Sequence, residues 1–103
     1  MERYSSRTID EMGRLSLHSE IRKVLGLETG DKISLKLIGT IVILRRAESD
    51  SEKDCVVCQV SDIGMINLPV EIRQALGWKE KDKIAVYCVD NIVILKSARE
   101  SNH

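Results

Sequence analysis

Apolar and polar residues alternate along this chain in a way that predicts strands more often than helices. Short alternating segments predict strands at roughly 4–9, 14–17, 55–60 and 65–68. Longer segments predict two hairpins, with strands at 32–38 and 41–44 and at 83–89 and 92–95. The turns of these hairpins, Gly39-Thr40 and Asp90-Asn91, are residue types that accept the positive φ of a tight turn.

Two similar segments, EIRKVLG at 20–26 and EIRQALG at 71–77, predict short helices of one or two turns. In each of them Ile and Leu stand four residues apart and therefore share one helix face. Gly26 and Gly77 suit the left-handed position just beyond a helix end, and Pro69 suits the first helical position. The sequence therefore predicts a mainly β protein with short helices.

The similarity of these segments belongs to a longer internal repeat. Residues 7–47 align with 58–98 without a gap, and 15 of the 41 pairs are identical. The polar stretch ESDSEKD between the copies has the composition of a linker. We expect a first unit at 1–47, an acidic linker at 48–54 and a second unit at 55–103.

The strands IVIL at 41–44 and 92–95 are apolar on both faces, and a lone four-stranded unit cannot cover such a strand. Each unit therefore needs a partner. The short linker holds the second unit at an effective concentration of roughly millimolar, which favours interleaving within one chain as a pseudo-dimer. The alternative is that two chains pair first unit with first and second with second.

The net charge of zero conceals a division along the chain. Residues 1–47 hold nine Lys and Arg against six Asp and Glu, the linker holds one against four, and residues 55–103 hold six of each. A neutral whole argues against strong non-specific binding to nucleic acid, which depends on phosphate neutralisation by Lys and Arg. A local basic cluster in the first unit can still bind DNA, because the potential at a groove is local.

Several functional classes find no support in the residues. No apolar run approaches the roughly 20 residues of a membrane span, and no signal peptide opens the chain, so we expect a cytoplasmic protein. Cys55, Cys58 and Cys88 are an odd number without a secretory context and are interpreted as reduced thiols. The CxxC segment lacks the second ligand pair of a zinc site. With no phosphate loop or catalytic constellation, we expect neither an enzyme nor a cofactor or metal.

The ordered pattern of both units resembles the AbrB/SpoVT-like transcription regulators. It stands as IDEMGRLSLHSEIRKVLGLETGDKISLKLIGTIVIL at 9–44 and as VSDIGMINLPVEIRQALGWKEKDKIAVYCVDNIVIL at 60–95. The resemblance implies a swapped-hairpin β-barrel, in which two units interleave, and binding to double-stranded DNA. It also implies self-association and a place on the nucleoid of a bacterial or archaeal cell.

The resemblance further implies that basic residues at four positions of a unit contact DNA. In the first unit these are Arg7, Arg14, Arg22 and Lys23. The equivalent positions of the second unit hold Cys58, Met65, Arg73 and Gln74, of which only Arg73 is basic. Since Arg22 and Arg73 occur in both units beside a Glu, each is interpreted either as a DNA contact or as a structural salt-bridge partner.

The sequence thus predicts a transcription regulator that contacts double-stranded DNA through arginines of the first unit. Two alternatives are a protein-binding module such as a MazE-like antitoxin and a barrel that serves assembly only. The short tail SARESNH at 97–103 argues against a toxin partner. Trp78, at the position equivalent to Leu27, is either a core residue or an exposed contact for a partner.

Overall fold

The computed structural model of this chain describes residues 2–17, 19–28, 30–49, 54–61 and 63–98, with side chains from Ser6 onward. The same order of elements, two strands, a helix and two strands, occurs twice. The elements are β1 (Glu2–Thr8), β2 (Arg14–Ser16), α1 (Ser19–Leu25), β3 (Lys32–Ile38), β4 (Ile41–Arg46), β5 (Val56–Gln59), β6 (Met65–Asn67), α2 (Val70–Leu76), β7 (Lys83–Val89) and β8 (Ile92–Ser97). The predicted mainly β class with short helices is confirmed.

The strands form a six-stranded antiparallel sheet in the order β1-β7-β8-β4-β3-β5. Each edge strand pairs with a hairpin from the other half of the chain, since β1 lies on β7 and β5 lies on β3. The two hairpins meet where β4 pairs with β8. The halves are therefore interleaved within one chain, which confirms the predicted swapped-hairpin pseudo-dimer.

A separate two-stranded ribbon joins the halves a second time. Strands β2 and β6 pair antiparallel, with Arg14 opposite Asn67, Leu15 opposite Ile66 and Ser16 opposite Met65. The pairing extends past both strand ends, because Leu17 N–H donates to the Gly64 carbonyl at 2.9 Å and Leu68 N–H donates to the Gly13 carbonyl at 3.0 Å. The ribbon thus contains one strand from each half.

The core is aliphatic, and Trp78 is its one aromatic member among the described residues. It is built from equivalent positions of both halves: Ile9, Leu15, Leu17, Ile21, Leu25, Leu27, Ile33, Leu35, Val42, Leu44, Val60, Ile66, Leu68, Ile72, Trp78, Ile84, Val86, Val93 and Leu95. With only 5% of its surface exposed, Trp78 is a core residue and not an exposed contact. The left-handed Gly77, at φ 69°, ends α2 and turns the chain so that Trp78 enters the core.

The strand β4 departs from the expectation that IVIL is buried on both faces. Val42 and Leu44 are fully buried, whereas Ile41 and Ile43 on the opposite face are half-buried. The same pattern holds in β8. The inner faces of β4 and β8 are buried at Val42, Leu44, Val93 and Leu95, and the outer faces of these strands keep partial contact with solvent.

Some element boundaries also differ from the predictions. The first strand begins at Glu2 rather than near residue 4, and Pro69 precedes α2 in an extended conformation instead of occupying its first turn. Linker residues 50–53, His18 and tail residues 99–103 lie outside the described part of the chain. Among the helices that are described, none is long and apolar enough to cross a membrane.

Interleaving predicts that a core substitution in one half lowers the stability of both halves. Leu44→Ala removes a fully buried side chain of the first half at the β4–β8 junction, and we expect a loss of about 2–5 kcal/mol in the free energy of unfolding. The urea transition observed through Trp78 fluorescence, a probe of the second half, should shift as far as the transition observed by far-UV circular dichroism. The exposed-site variant Leu37→Ala is the control. Separate transitions for the two probes would contradict a single interleaved body.

Candidate nucleic-acid interface

The turn between β1 and β2 is built around Asp10. Its Oδ1 accepts the backbone N–H groups of Arg14 at 2.7 Å and Met12 at 2.9 Å, and its Oδ2 accepts Arg14 Nε–H at 2.8 Å. These contacts lower the pKa of Asp10, the Arg14 backbone N–H first among them. Because only Nε is bonded to Asp10, the two terminal amino groups of Arg14 stay available among the described residues.

The equivalent turn between β5 and β6 keeps the backbone hydrogen bond but has the neutral Ser61 in the place of Asp10. Ser61 N–H donates to the Met65 carbonyl at 2.9 Å, as Asp10 N–H donates to the Arg14 carbonyl at 3.1 Å. The Ser61 hydroxyl accepts Met65 N–H at 3.1 Å, in the place of the Asp10 carboxylate. The tips of both turns face solvent, since Met12 is 66% and Ile63 69% exposed.

Arg22 and Arg73 hold the two halves together at these turns. Arg22 Nε–H donates to the Leu17 carbonyl at 3.3 Å, and Arg73 Nε–H donates to the Leu68 carbonyl at 3.0 Å. Each guanidinium also packs against the turn glycine of the other half. A Cβ on Gly13 would lie 2.7 Å from Arg73 Cζ, and one on Gly64 would lie 3.3 Å from Arg22 Cζ.

The remaining predicted contact residues lie in different environments. Arg7 is half-buried on the edge strand β1, opposite Ile84 of β7. Lys23 is exposed in the last turn of α1. The five predicted residues therefore divide into one turn-held arginine on the ribbon, one exposed lysine, one half-buried edge-strand arginine and the two arginines packed under the turns.

The outer surface of the β2–β6 ribbon, called the ribbon face below, consists of Arg14, Ser16, Met65 and Asn67. These residues alternate with the buried Leu15 and Ile66, and all four are at least partly exposed. Asn67 is the member that the sequence analysis missed. The alternation MINL at 65–68 places Asn67 on the outer face of its strand. The residue opposite it depends on the β2–β6 register, which the sequence does not give.

The three cysteines lie apart from this surface. Burial raises the pKa of the Cys58 thiol to about 11 and also raises that of Cys88. Cys58 packs against the core from β5. Within the described residues, no group of three or more His, Cys, Asp or Glu side chains is placed to hold a metal ion.

The chain is similar to one known protein over part of its sequence and to another in its fold. Transition state regulatory protein AbrB of Bacillus subtilis (strain 168) is 39% identical to the chain over 41 residues, which are 40% of the chain and 43% of AbrB. The match thus spans less than half of AbrB. The solution structure of PHS018 from Pyrococcus horikoshii superposes with a TM-score of 0.54 at 20% identity and covers 97% of this chain and 100% of its own. No protein-family model matches the chain.

The packing of Arg73 on Gly13 predicts that a side chain at this glycine displaces the guanidinium. Gly13→Ala combines a positive φ of 77° with a Cβ 2.7 Å from Arg73 Cζ, so the guanidinium must shift and weaken its bond to the Leu68 carbonyl. We expect a loss of about 2–3 kcal/mol in the free energy of unfolding. Gly39→Ala is the matched control, because Gly39 has φ 59° and open space around it, and should lose only about 1 kcal/mol. Equal losses in urea denaturation would refute the contact.

The lowered pKa of Asp10 predicts a pH-dependent contribution to stability. A carboxyl whose pKa falls on folding stabilises the folded chain above its unfolded pKa, about 4, and this stabilisation disappears as the pH drops through the folded pKa. Asp10→Ser, which copies the neutral cap of the second half, should lower the urea midpoint at about pH 7. The gap from the wild type should narrow at about pH 2.5. A gap of the same size at both pH values would show that the charge of Asp10 contributes nothing.

Proposed function

From the 39% identity to AbrB over 41 residues and the fold likeness to PHS018, we propose that the chain is an AbrB/SpoVT-like transcription regulator that binds double-stranded DNA. The observation that carries this proposal is the ribbon face with Arg14 fixed by Asp10. An arginine that is held at Nε and available at its terminal amino groups can bond a phosphate or a guanine edge without losing much side-chain freedom. Such binding needs neither catalysis nor a cofactor.

The contacts differ in kind between the five basic residues. Arg14 and the exposed Lys23 contact DNA directly. Arg7 adds positive charge from the edge strand β1. Arg22 and Arg73 support binding chiefly by fixing the turns at Gly64 and Gly13, because their Nε groups are bonded to backbone carbonyls and their guanidinium planes pack under the glycines.

Part of the recognition is indirect. The helices of seven residues are too short to serve as long recognition helices, so groove shape and DNA bending supply specificity besides the side-chain contacts. The ribbon is pseudo-symmetric, but its charge is not, since Met65 stands in the place equivalent to Arg14. Two chains are therefore needed to place two equivalent basic surfaces on a two-fold operator.

A fluorescence anisotropy titration tests this function. With a 30-base-pair duplex of mixed sequence as the probe, the double variant Arg14→Ala/Lys23→Ala should bind at least about tenfold more weakly at low salt. On this mixed-sequence duplex the binding is non-specific, and each of the two cations neutralises about one phosphate. Each neutralised phosphate contributes about 0.9 to the slope of log K against log salt, so the slope should fall by about two.

The control for this titration removes the same charge elsewhere. Lys36→Ala/Lys96→Ala deletes two exposed lysines of β3 and β8, which belong to the six-stranded sheet and not to the ribbon, and should bind nearly as the wild type does. Equal losses in the two double variants would mean that only net charge matters. Wild-type protein that leaves the duplex unbound at low salt would refute the proposed function itself.

A further inference from the structure

Arg14 and Asn67 form the closest kind of cross-strand pair on the ribbon. In an antiparallel ladder, hydrogen-bonded and non-hydrogen-bonded pairs alternate, and the side chains of non-hydrogen-bonded pairs approach more closely. The bonds from Leu17 to Gly64 and from Leu68 to Gly13 mark hydrogen-bonded positions. Counting along the register from either bond makes Arg14 and Asn67 a non-hydrogen-bonded pair, with their Cβ atoms about 5 Å apart.

Arg14 is charged and Asn67 is neutral, but both side chains of this pair are accessible to solvent. Asn67 is exposed and Arg14 is partly exposed, with 34% of its side-chain surface accessible. Within the described residues, the Arg14 side chain bonds Asp10 alone, through Nε. An exposed Asn in a β-strand is unfavourable for the strand itself, so neither strand propensity nor core packing explains its presence.

The pseudo-two-fold relation supplies an internal comparison. It places Met65 in the position of Arg14 and Ser16 in the position of Asn67, and these two residues also lie opposite each other. The Ser16–Met65 pair has neither a guanidinium nor an amide. Arginine and asparagine can each bond two atoms of one base edge. These two side chains lie opposite each other in one of the two equivalent pairs of the ribbon, and both are absent from the other pair.

From this juxtaposition, and resting on the proposed function, we propose that Asn67 and Arg14 together read base edges in the major groove. The major groove admits a two-stranded β-ribbon. Asn bonds the N6 and N7 positions of adenine, and Arg bonds O6 and N7 of guanine, each with two hydrogen bonds. The pair thus recognises an adenine and a guanine close together, and the sequence preference of the chain depends on a residue of its second half.

A selection experiment on the full chain tests this inference. Wild type, Asn67→Ala and Asn91→Ala are each used to enrich bound duplexes from a pool of randomised 20-base-pair DNA. Asn91 is an exposed asparagine in the turn between β7 and β8 and serves as the matched control. Urea midpoints of the three proteins establish that equal amounts of folded chain are compared.

We expect wild type and Asn91→Ala to enrich the same sequence, and Asn67→Ala to lose the preference for one A·T pair within it. The affinity of Asn67→Ala for the wild-type sequence should fall about 5- to 150-fold. Its affinity for an unselected duplex and its salt slope should stay unchanged, because no phosphate-neutralising charge is lost.

Two results would overturn the inference while the proposed function stands. One is an Asn67→Ala protein that selects the wild-type sequence with undiminished preference. The other is a wild type that binds duplexes without enriching any A·T pair. Wild-type protein that binds no member of the pool at low salt would instead refute the proposed function, and the reading of bases with it.

Discussion

The fit of each helix arginine under the turn glycine of the other half is the contact on which the assembly of this chain depends. Arg73 reaches Gly13, and Arg22 reaches Gly64, at the same places where the β2–β6 ladder crosses between the halves. A positive φ makes each turn possible and the missing Cβ makes room for the guanidinium, so one residue type satisfies two demands. The repeated segment EIR thus has a structural explanation. Its Ile packs in the core, and its Arg packs against the turn glycine where the β2–β6 ladder joins the two halves.

Interleaving also explains where the halves are alike and where they differ. The equivalent core positions hold aliphatic residues in both halves, apart from Trp78 at the position equivalent to Leu27, because each half supplies the surface that buries the other. Backbone demands allow more variation. Lys81 adopts φ 76° at the position equivalent to Gly30, and Asp90 adopts φ 53° at that of Gly39, where an L-residue is strained by about 1 kcal/mol. A single chain can accept such unequal solutions because its halves are encoded separately.

Much of the fold could be predicted from the sequence, and the missing parts share one cause. Alternation predicts the strands and hairpins, and the doubly apolar IVIL segments indicate that two units cover each other. The register across the interface is a tertiary property, so the sequence did not reveal that Asn67 faces Arg14 or that Arg22 lies under Gly64. For the same reason the half-buried outer face of β4 was missed. The boundaries of the units and the DNA-contact roles of Arg7, Arg14, Arg22, Lys23 and Arg73 stay predictions.

The two β-turns separate the structural role of a residue from its chemical role. Asp10 and Ser61 both accept the N–H four residues onward, so a hydroxyl suffices to cap the turn. Asp10 has a second oxygen, and it bonds Arg14, whereas the half with Ser61 carries Met65 at the equivalent position. A carboxylate thus occurs where there is an arginine to orient, and a neutral cap occurs where there is none. Because a charge-assisted bond is stronger than a neutral one, the Asp10 carboxylate holds the Arg14 guanidinium in one direction more firmly than a hydroxyl could.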